Sequence, residues 1–319
     1  MTTPPVSIVI PSFNGKELLQ RYLPDVAASL EAYTGGGEIV VVEDGGNDGT
    51  PEWLSDQFPK VKVVIHDINK GFGAAANSGV EAAANDAVIL LNNDMSPKKG
   101  FIAPLIERLQ SSDDVFAVCS KSLVADGTDE APTCFEDDDG ILKLIQPGLE
   151  VSSEPFSSAV TVAYAPGGMS VFRRDMFITL GGFDDLYRPF YWEDADLSWR
   201  AWKRGFKALY EPRSEVEHLS HGTIGKLYKR DWYDLINHAH RHLFHMRHLE
   251  DRLLKRYLQR VNMLESEINL YDRGVLRRAF FTAVARLDEV IERRRADETP
   301  ARSTEEIIEL SSNRPVEKT

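Results

Sequence analysis

Over the first 120 residues, short apolar β-branched runs alternate with stretches of helical spacing. Residues 6–10, 38–42, 61–65, 87–91 and 115–119 are rich in Val, Ile, Leu and Ala, as strands covered on both faces are. Between them, residues 16–33, 51–57, 74–84 and 101–111 read as helices. Strands joined by helices of this length predict right-handed crossovers and a mainly parallel α/β sheet. In such sheets ligands gather beyond the carboxyl ends of the strands. The first four strands end in Pro11-Ser12-Phe13-Asn14, Glu43-Asp44-Gly45-Gly46, His66-Asp67-Ile68-Asn69 and Asn92-Asn93-Asp94, polar groups that the topology would bring to one rim.

Residues 124–158 are acidic and rich in turn formers, which predicts a long surface excursion with Glu136-Asp137-Asp138-Asp139 as a solvated loop. Strand character returns at 159–165 and 169–172, and a helix opens at Trp192-Glu193-Asp194. From about Leu227 the pattern is helical. Leu254, Tyr257, Val261, Leu264, Ile268 and Tyr271, then Phe280, Val284, Leu287 and Ile291, recur at steps of three and four, the seam of a helical hairpin or coiled coil. Three destinations are open to that seam: the chain's own sheet domain, a second copy in a homodimer, or a membrane surface. Five histidines at 238, 240, 242, 245 and 248 fall here and are expected on an exposed helix face. The divisions expected are 1–225 for the main domain, with halves at about 1–120 and 155–225, then a helical extension over 226–298 and a polar, disordered tail over 299–319.

Composition narrows the function classes. Hydrophobic residues make up 42% and charged residues 27%, as in ordinary globular chains, and no apolar run reaches the roughly 18–20 residues that span a bilayer. The start lacks the basic segment of a signal peptide, and Cys119 and Cys134 form neither a disulfide framework nor a zinc motif, so a cytoplasmic location is expected. A net charge of −13 argues against nucleic acid as a partner. The charge is uneven: residues 226–298 hold 16 Lys and Arg against 12 Asp and Glu, about +4, which leaves about −17 elsewhere. A separate role for this segment follows, a peripheral contact at the inner face of a membrane among those considered.

Five constellations carry candidate chemistry. In Glu43-Asp44-Gly45-Gly46-Asn47-Asp48-Gly49-Thr50, a carboxylate can accept from a base N–H or ribose hydroxyls, while Thr50 before Pro51 suits a helix N-cap. In Asn69-Lys70-Gly71-Phe72-Gly73-Ala74-Ala75-Ala76-Asn77, residues Gly71, Gly73 and Ala76 fit a dinucleotide fingerprint, with Asp94 lying 23 residues on. An NAD-dependent oxidoreductase is therefore the rival reading. Against it, Asp67-Ile68-Asn69-Lys70 separate the glycines from their strand, and that strand is the third. Asn92-Asn93-Asp94 could share a hard divalent ion with phosphate oxygens. Trp192-Glu193-Asp194-Ala195-Asp196 places acids in a first helical turn, where one could act as a general base; Glu217-His218-Leu219-Ser220-His221 offers two imidazoles as metal ligands.

In this order, over residues 6 to about 223, these motifs together with Gly167-Gly168 and Gly181-Gly182-Phe183-Asp184-Asp185 resemble the family 2 glycosyltransferases of GT-A fold, Rossmann-like sheets flanked by helices. The look is nearest to bacterial rhamnosyltransferase-like and galactofuranosyltransferase-like members. The resemblance implies an inverting, metal-dependent transfer from a nucleotide-diphosphate sugar, UDP- or dTDP-linked, to a glycan or lipid-linked acceptor. By position, Pro11, Asn14, Glu43 and Asp44 would hold the nucleoside, with Asn69, Gly71, Asn77 and Asn93 lining the same pocket. Asp94 would match the last acid of the family's metal motif, with His218, or failing it His221, as the second ligand to Mn2+ or Mg2+. Asp194 would be the base; Gly167, Gly168, Trp192 and Glu193 would border the acceptor. The sequence departs from the family's pattern at Asn92 and Glu43, where Asp is commoner, which makes metal affinity lean on the donor diphosphate.

Overall fold

The computed structural model describes residues 3–124, 126–138, 141–146, 156–218, 230–267, 270–297, 299–312 and 314–316. The first part forms β1 (Val6–Ser12), α1 (Lys16–Glu31), β2 (Gly37–Asp44), α2 (Thr50–Gln57), β3 (Lys62–His66), α3 (Phe72–Ala82), β4 (Ala87–Leu91), β5 (Met95–Pro97), α4 (Ile102–Leu109) and β6 (Val115–Leu123). A hairpin of β7 (Cys134–Asp138) and β8 (Ile141–Ile145) follows, then β9 (Val160–Thr161), β10 (Met169–Arg173), α5 (Arg174–Thr179), α6 (Glu193–Lys203) and β11 (Lys207–His218). The chain closes with α7 (Arg230–His248), α8 (Asp251–Glu267), α9 (Leu270–Val284), α10 (Leu287–Ala296) and α11 (Thr304–Leu310).

Among the described residues, nine strands make one sheet in the order β3-β2-β1-β4-β10-β6-β11-β5, with β9 against β11. The β3-β2-β1-β4 block is parallel, as the helix crossovers require. β10 enters antiparallel between β4 and β6, which makes the sheet mixed. Apolar side chains of β1, β2, β4 and β6 are almost wholly buried, which accounts for their unbroken hydrophobic runs. The short β5 pairs antiparallel with β11 so that Met95 faces His218. That register sets Asp94, at the end of the turn after β4, beside the end of β11.

Several expectations change. Strand character at 159–165 is confined to Val160–Thr161. The 124–158 segment is not wholly a surface loop: β7 and β8 bury Phe135, Ile141 and Leu142 in a second apolar cluster with Trp199 and Phe244. Glu136-Asp137-Asp138 thus lies on a strand, with Glu136 and Asp137 exposed, while Asp139 lies outside the described residues. The cap of α2 is Gly49 at φ 77°, a left-handed position suited to glycine; Thr50 is already helical, and Asp48 accepts from its amide.

The C-terminal helices pack on the sheet domain. Their second cluster joins Trp192, Ala195, Trp199 and Trp202 to Leu243, Phe244, Leu253, Tyr257, Ala283 and Val290. Of the expected seam, Tyr257 is buried and Leu254, Val261 and Phe280 pack on this cluster, whereas Val284 and Leu287 are exposed and Val275, Ala279 and Ala283 are buried in their stead. Leu264 and Tyr271 carry no described side chain, and Ile268 lies outside the described residues. Four of the five histidines, His240, His242, His245 and His248, are buried rather than exposed. Burial disfavours the imidazolium, and it lowers His242 and His245 to about 3. Neutral His245 accepts from the Leu142 amide through Nε2 and donates from Nδ1 to the Arg241 carbonyl. The tail is likewise not disordered throughout: Ser303 and Glu306 form a capping box on α11, Ile307 is fully buried, and Val160 bridges Pro315. Short polar stretches hide such contacts when a single apolar residue anchors them. Among the described residues, no helix is long and apolar enough to cross a membrane.

Candidate active site

The carboxyl ends of β1, β2 and β4 open onto a cleft of about 340 Å³, whose other wall is the start of α6 and the end of β11. Pro11, Asp44, Asn69, Gly71, Asn93, Asp94, Gly167, Gly168, Glu193, Asp194 and His218 all line it. Phe190, Tyr191 and Tyr164 add aromatic walls. Four expected residues do not line it. Asn77 is occupied in a two-way amide clamp, donating to the Phe183 carbonyl and accepting from its amide at 2.8 and 2.9 Å. Trp192 is buried among aromatics and donates from Nε1 to Asn237. Glu43 is 1% exposed, with one oxygen accepting from the Asn14 and Gly46 amides and the other without a partner. Burial raises its pKa. Asn14 is exposed at φ 48° and ties the loop after β1 to Asn47. His221 and Thr223 lie outside the described residues.

Asp44 shows why the dinucleotide reading fails. Its carboxylate accepts from the amides of Lys70 and Gly71 at 2.9 and 2.8 Å and contacts His66 Nδ1 at 2.6 Å. Those two amides, at the start of α3, would cradle a pyrophosphate in a dinucleotide fold. Here they are bound to a neighbouring strand's acid. Gly71 itself sits at φ 90°, and a Cβ there would lie 3.0 Å from the Pro189 carbonyl, so the glycine serves this turn's close approach to the 188–192 segment.

Asp94 and His218 face each other, with Oδ2 and Nε2 3.7 Å apart. On the far side of the ring, Nδ1 contacts Glu130 Oε1 at 2.5 Å. Burial pulls the imidazole down, but its hydrogen bond to Glu130 and the charges of Asp94 and Glu130 outweigh this and hold it at about 10. The donor set fits a divalent cation. A carboxylate oxygen and an imidazole nitrogen could meet at one ion, and a carboxylate behind the ring is the usual orienting partner of a metal-bound histidine. Among the described residues no group of three or more ligating side chains occurs, so further ligands would come from substrate oxygens or water. Glu130 had no signal in the sequence, since it lies in the acidic excursion with no motif around it.

Asp194 sits half-buried at the start of α6, where the Ala195 amide donates to it at 2.8 Å and the nearby Gly167 amide also favours its charged form. A Cβ on Gly167 would crowd Phe72 and Phe183 at 3.0 Å, so glycine lets the backbone pack against these two rings. Burial raises the Asp194 carboxyl to about 6, against the lowering effect of those amides. Its neighbour Glu193 is pushed well up by burial and by the Asp194 charge, and one of its oxygens is buried without a partner. Of the pair, Asp194 is the acid tuned toward neutral pH, as a general base must be.

A mixed sheet of this order, flanked by helices and with its cleft at the carboxyl ends of β1, β2 and β4, is of GT-A type. The model of Glycosyl transferase family 2 matches residues 7–181, more than half of the chain, and the chain belongs to that family. It is 30% identical over 232 residues to the pre-mycofactocin glycosyltransferase of Mycobacterium tuberculosis, covering 71% of this chain and 44% of that one. The N-acetylglucosaminyl-diphospho-decaprenol L-rhamnosyltransferase of the same organism is 27% identical over 234 residues, 64% of this chain and 73% of that one. The chain thus spans less than half the length of the first relative. Among solved structures, GalNAc-T7 with UDP, GalNAc and Mn2+ shares the fold at a TM-score of 0.63 and 17% identity, covering 91% of this chain and 57% of that one.

Proposed function

We propose that this chain transfers a sugar, with inversion, from a UDP- or dTDP-linked donor to a hydroxyl of a glycan or lipid-linked acceptor in bacterial cell-surface polysaccharide synthesis. The observation that carries this reading is Asp194, a carboxyl raised to about 6, in the same cleft as the Asp94–His218 pair. The relatives support it: one is named for a diphospho-decaprenol acceptor, and the GalNAc-T7 structure holds UDP and Mn2+. Pro11, Asp44, Asn69, Gly71 and Asn93 would line the nucleoside side, with Asn14 and Glu43 shaping its loops. Gly167, Gly168 and Glu193 would border the acceptor.

Asp94 and His218 would hold Mn2+ or Mg2+, which when bound neutralises charge on the departing diphosphate. Asp194 takes the proton of the acceptor hydroxyl. That oxygen bonds to the anomeric carbon as the carbon's bond to the phosphate oxygen breaks, and the electron pair leaves with the nucleotide diphosphate. The sugar passes through oxocarbenium character, and a single displacement inverts it.

Asp94→Ala separates this reading from its rival. Mn2+ is expected to raise the melting temperature of the wild-type chain in the presence of UDP or dTDP. The variant is expected to lose that Mn2+-dependent part, with nucleotide affinity falling at least the roughly 10–100-fold that removal of an outer-shell partner costs at metal sites. Undiminished Mn2+-dependent stabilisation of the variant, or stabilisation of the wild type by NAD alone, would contradict the assignment.

A further inference from the structure

The helix that carries Asp194 is entered through two consecutive aromatic residues in the left-handed region, Tyr191 at φ 71° and Trp192 at φ 77°. Bulky side chains persist there only where the surroundings impose it. The restraint comes from α7. His240 Nδ1 lies 3.0 Å from the Phe190 carbonyl oxygen and 3.0 Å from that of Tyr191. Both partners are acceptors, so this nitrogen carries the proton and shares it between them. One turn earlier, Asn237 accepts from Trp192 Nε1 at 2.8 Å. His240 is 2% exposed and stands edge-on to Tyr187. Burial lowers it to about 4, so it is a neutral imidazole with a fixed tautomer. The first bond of α6, from the Asp196 amide to the Trp192 carbonyl, starts from the turn that these groups hold.

We propose that His240 is a positioning residue for sugar transfer, fixing the Phe190–Trp192 turn and through it the direction in which Asp194 enters the cleft. This rests on Asp194 being the base. It assigns to α7 a part in the reaction, although that helix lies beyond the segment matched by the family model. The bulky residues of the turn gain contacts there that glycines could not make, with Tyr191 on the cleft wall and Trp192 in the core, and the shared hydrogen bond holds the backbone that those contacts require.

The test compares His240→Ala, His240→Asn and Asp194→Asn in the full chain. Its probe is nucleotide release, with Mn2+, from the member of a UDP- and dTDP-sugar panel that the wild type turns over. Asn places an N–H near where Nδ1 stands. His240→Ala is expected to lower kcat by about 10–100-fold, the cost of a small misplacement of a reacting group, with the donor KM unchanged. Amide exchange over residues 190–196 should quicken, and His240→Asn should restore both. If His240→Ala does not fold, His240→Gln, whose amide is set one methylene further out, should show the same fall. Wild-type kcat in His240→Ala with Asp194→Asn inactive would overturn the positioning role alone, as would a loss confined to KM or one that Asn does not rescue. Turnover by Asp194→Asn at the wild-type rate would overturn the base assignment and this inference together.

Discussion

Asp194→Asn is expected to lower kcat by about 10²–10⁴-fold, the usual contribution of a positioned general base, while Mn2+-dependent nucleotide binding stays close to wild type. The reason is local. The carboxyl lies on the cleft wall, the Ala195 amide orients it, and burial raises it to about 6. An amide has the same shape and accepts no proton. The raised value also fixes the sign of the pH dependence. With Asp194 as the proposed base the carboxylate is the active form, so the wild-type rate should fall as pH drops through about 6, and this acid limb should be missing from the residual rate of the variant. Initial rates from pH 5 to 8 for both proteins check this. A variant with most of its turnover, or with the same acid limb, would move the base elsewhere.

The largest effect on stability is expected at Asp196, two residues further along the same helix. This fully buried carboxylate accepts from Arg200 Nε at 2.8 Å, Arg247 Nη1 at 2.9 Å and His248 Nε2 at 2.7 Å. Arg247 also reaches Asp184, which Arg293 of α10 contacts, so one charge network joins α6 to the C-terminal helices. Asp196→Ala would leave Arg200 and Arg247, both largely buried, with too little negative charge around them. Removal of one partner from a buried pair costs about 3–5 kcal/mol, and urea unfolding should show a loss of that size. Burial alone would raise the Asp196 carboxyl, but Arg200 and Arg247 outweigh it and hold it well below the usual range. A depressed carboxylate stabilises above its unfolded value, about 3.9, so this contribution should persist down to about pH 4 and fade only in stronger acid. A loss below 1 kcal/mol in urea would mean that the network matters little.

The sheet was readable because β1, β2, β3, β4 and β6 are apolar runs separated by helices, and this pattern has few other solutions. Asp94, Asp194 and His218 stand out in the sequence because each closes or opens an element in a familiar order, and the structure brings all three to one cleft. What the sequence hid depends on long-range contact. Glu130 reaches His218 from 88 positions away, and Asn77 looks like a cleft residue until Phe183 takes both of its amide groups. The histidines of α7 followed a polar pattern that suits an exposed face. Backbone carbonyls, Tyr257 and Asp196 bury them instead, since a neutral imidazole satisfied at its polar atoms tolerates the interior. The left-handed Tyr191–Trp192 pair also has no local signature, because neither residue favours that backbone.

The most direct measurement of the central claim is the anomeric configuration of the product, read by NMR after transfer from the preferred nucleotide sugar to a polyprenyl-diphosphate-linked glycan. One base at Asp194 and a single displacement predict inversion relative to the donor. A product that retains the donor's configuration would contradict the account.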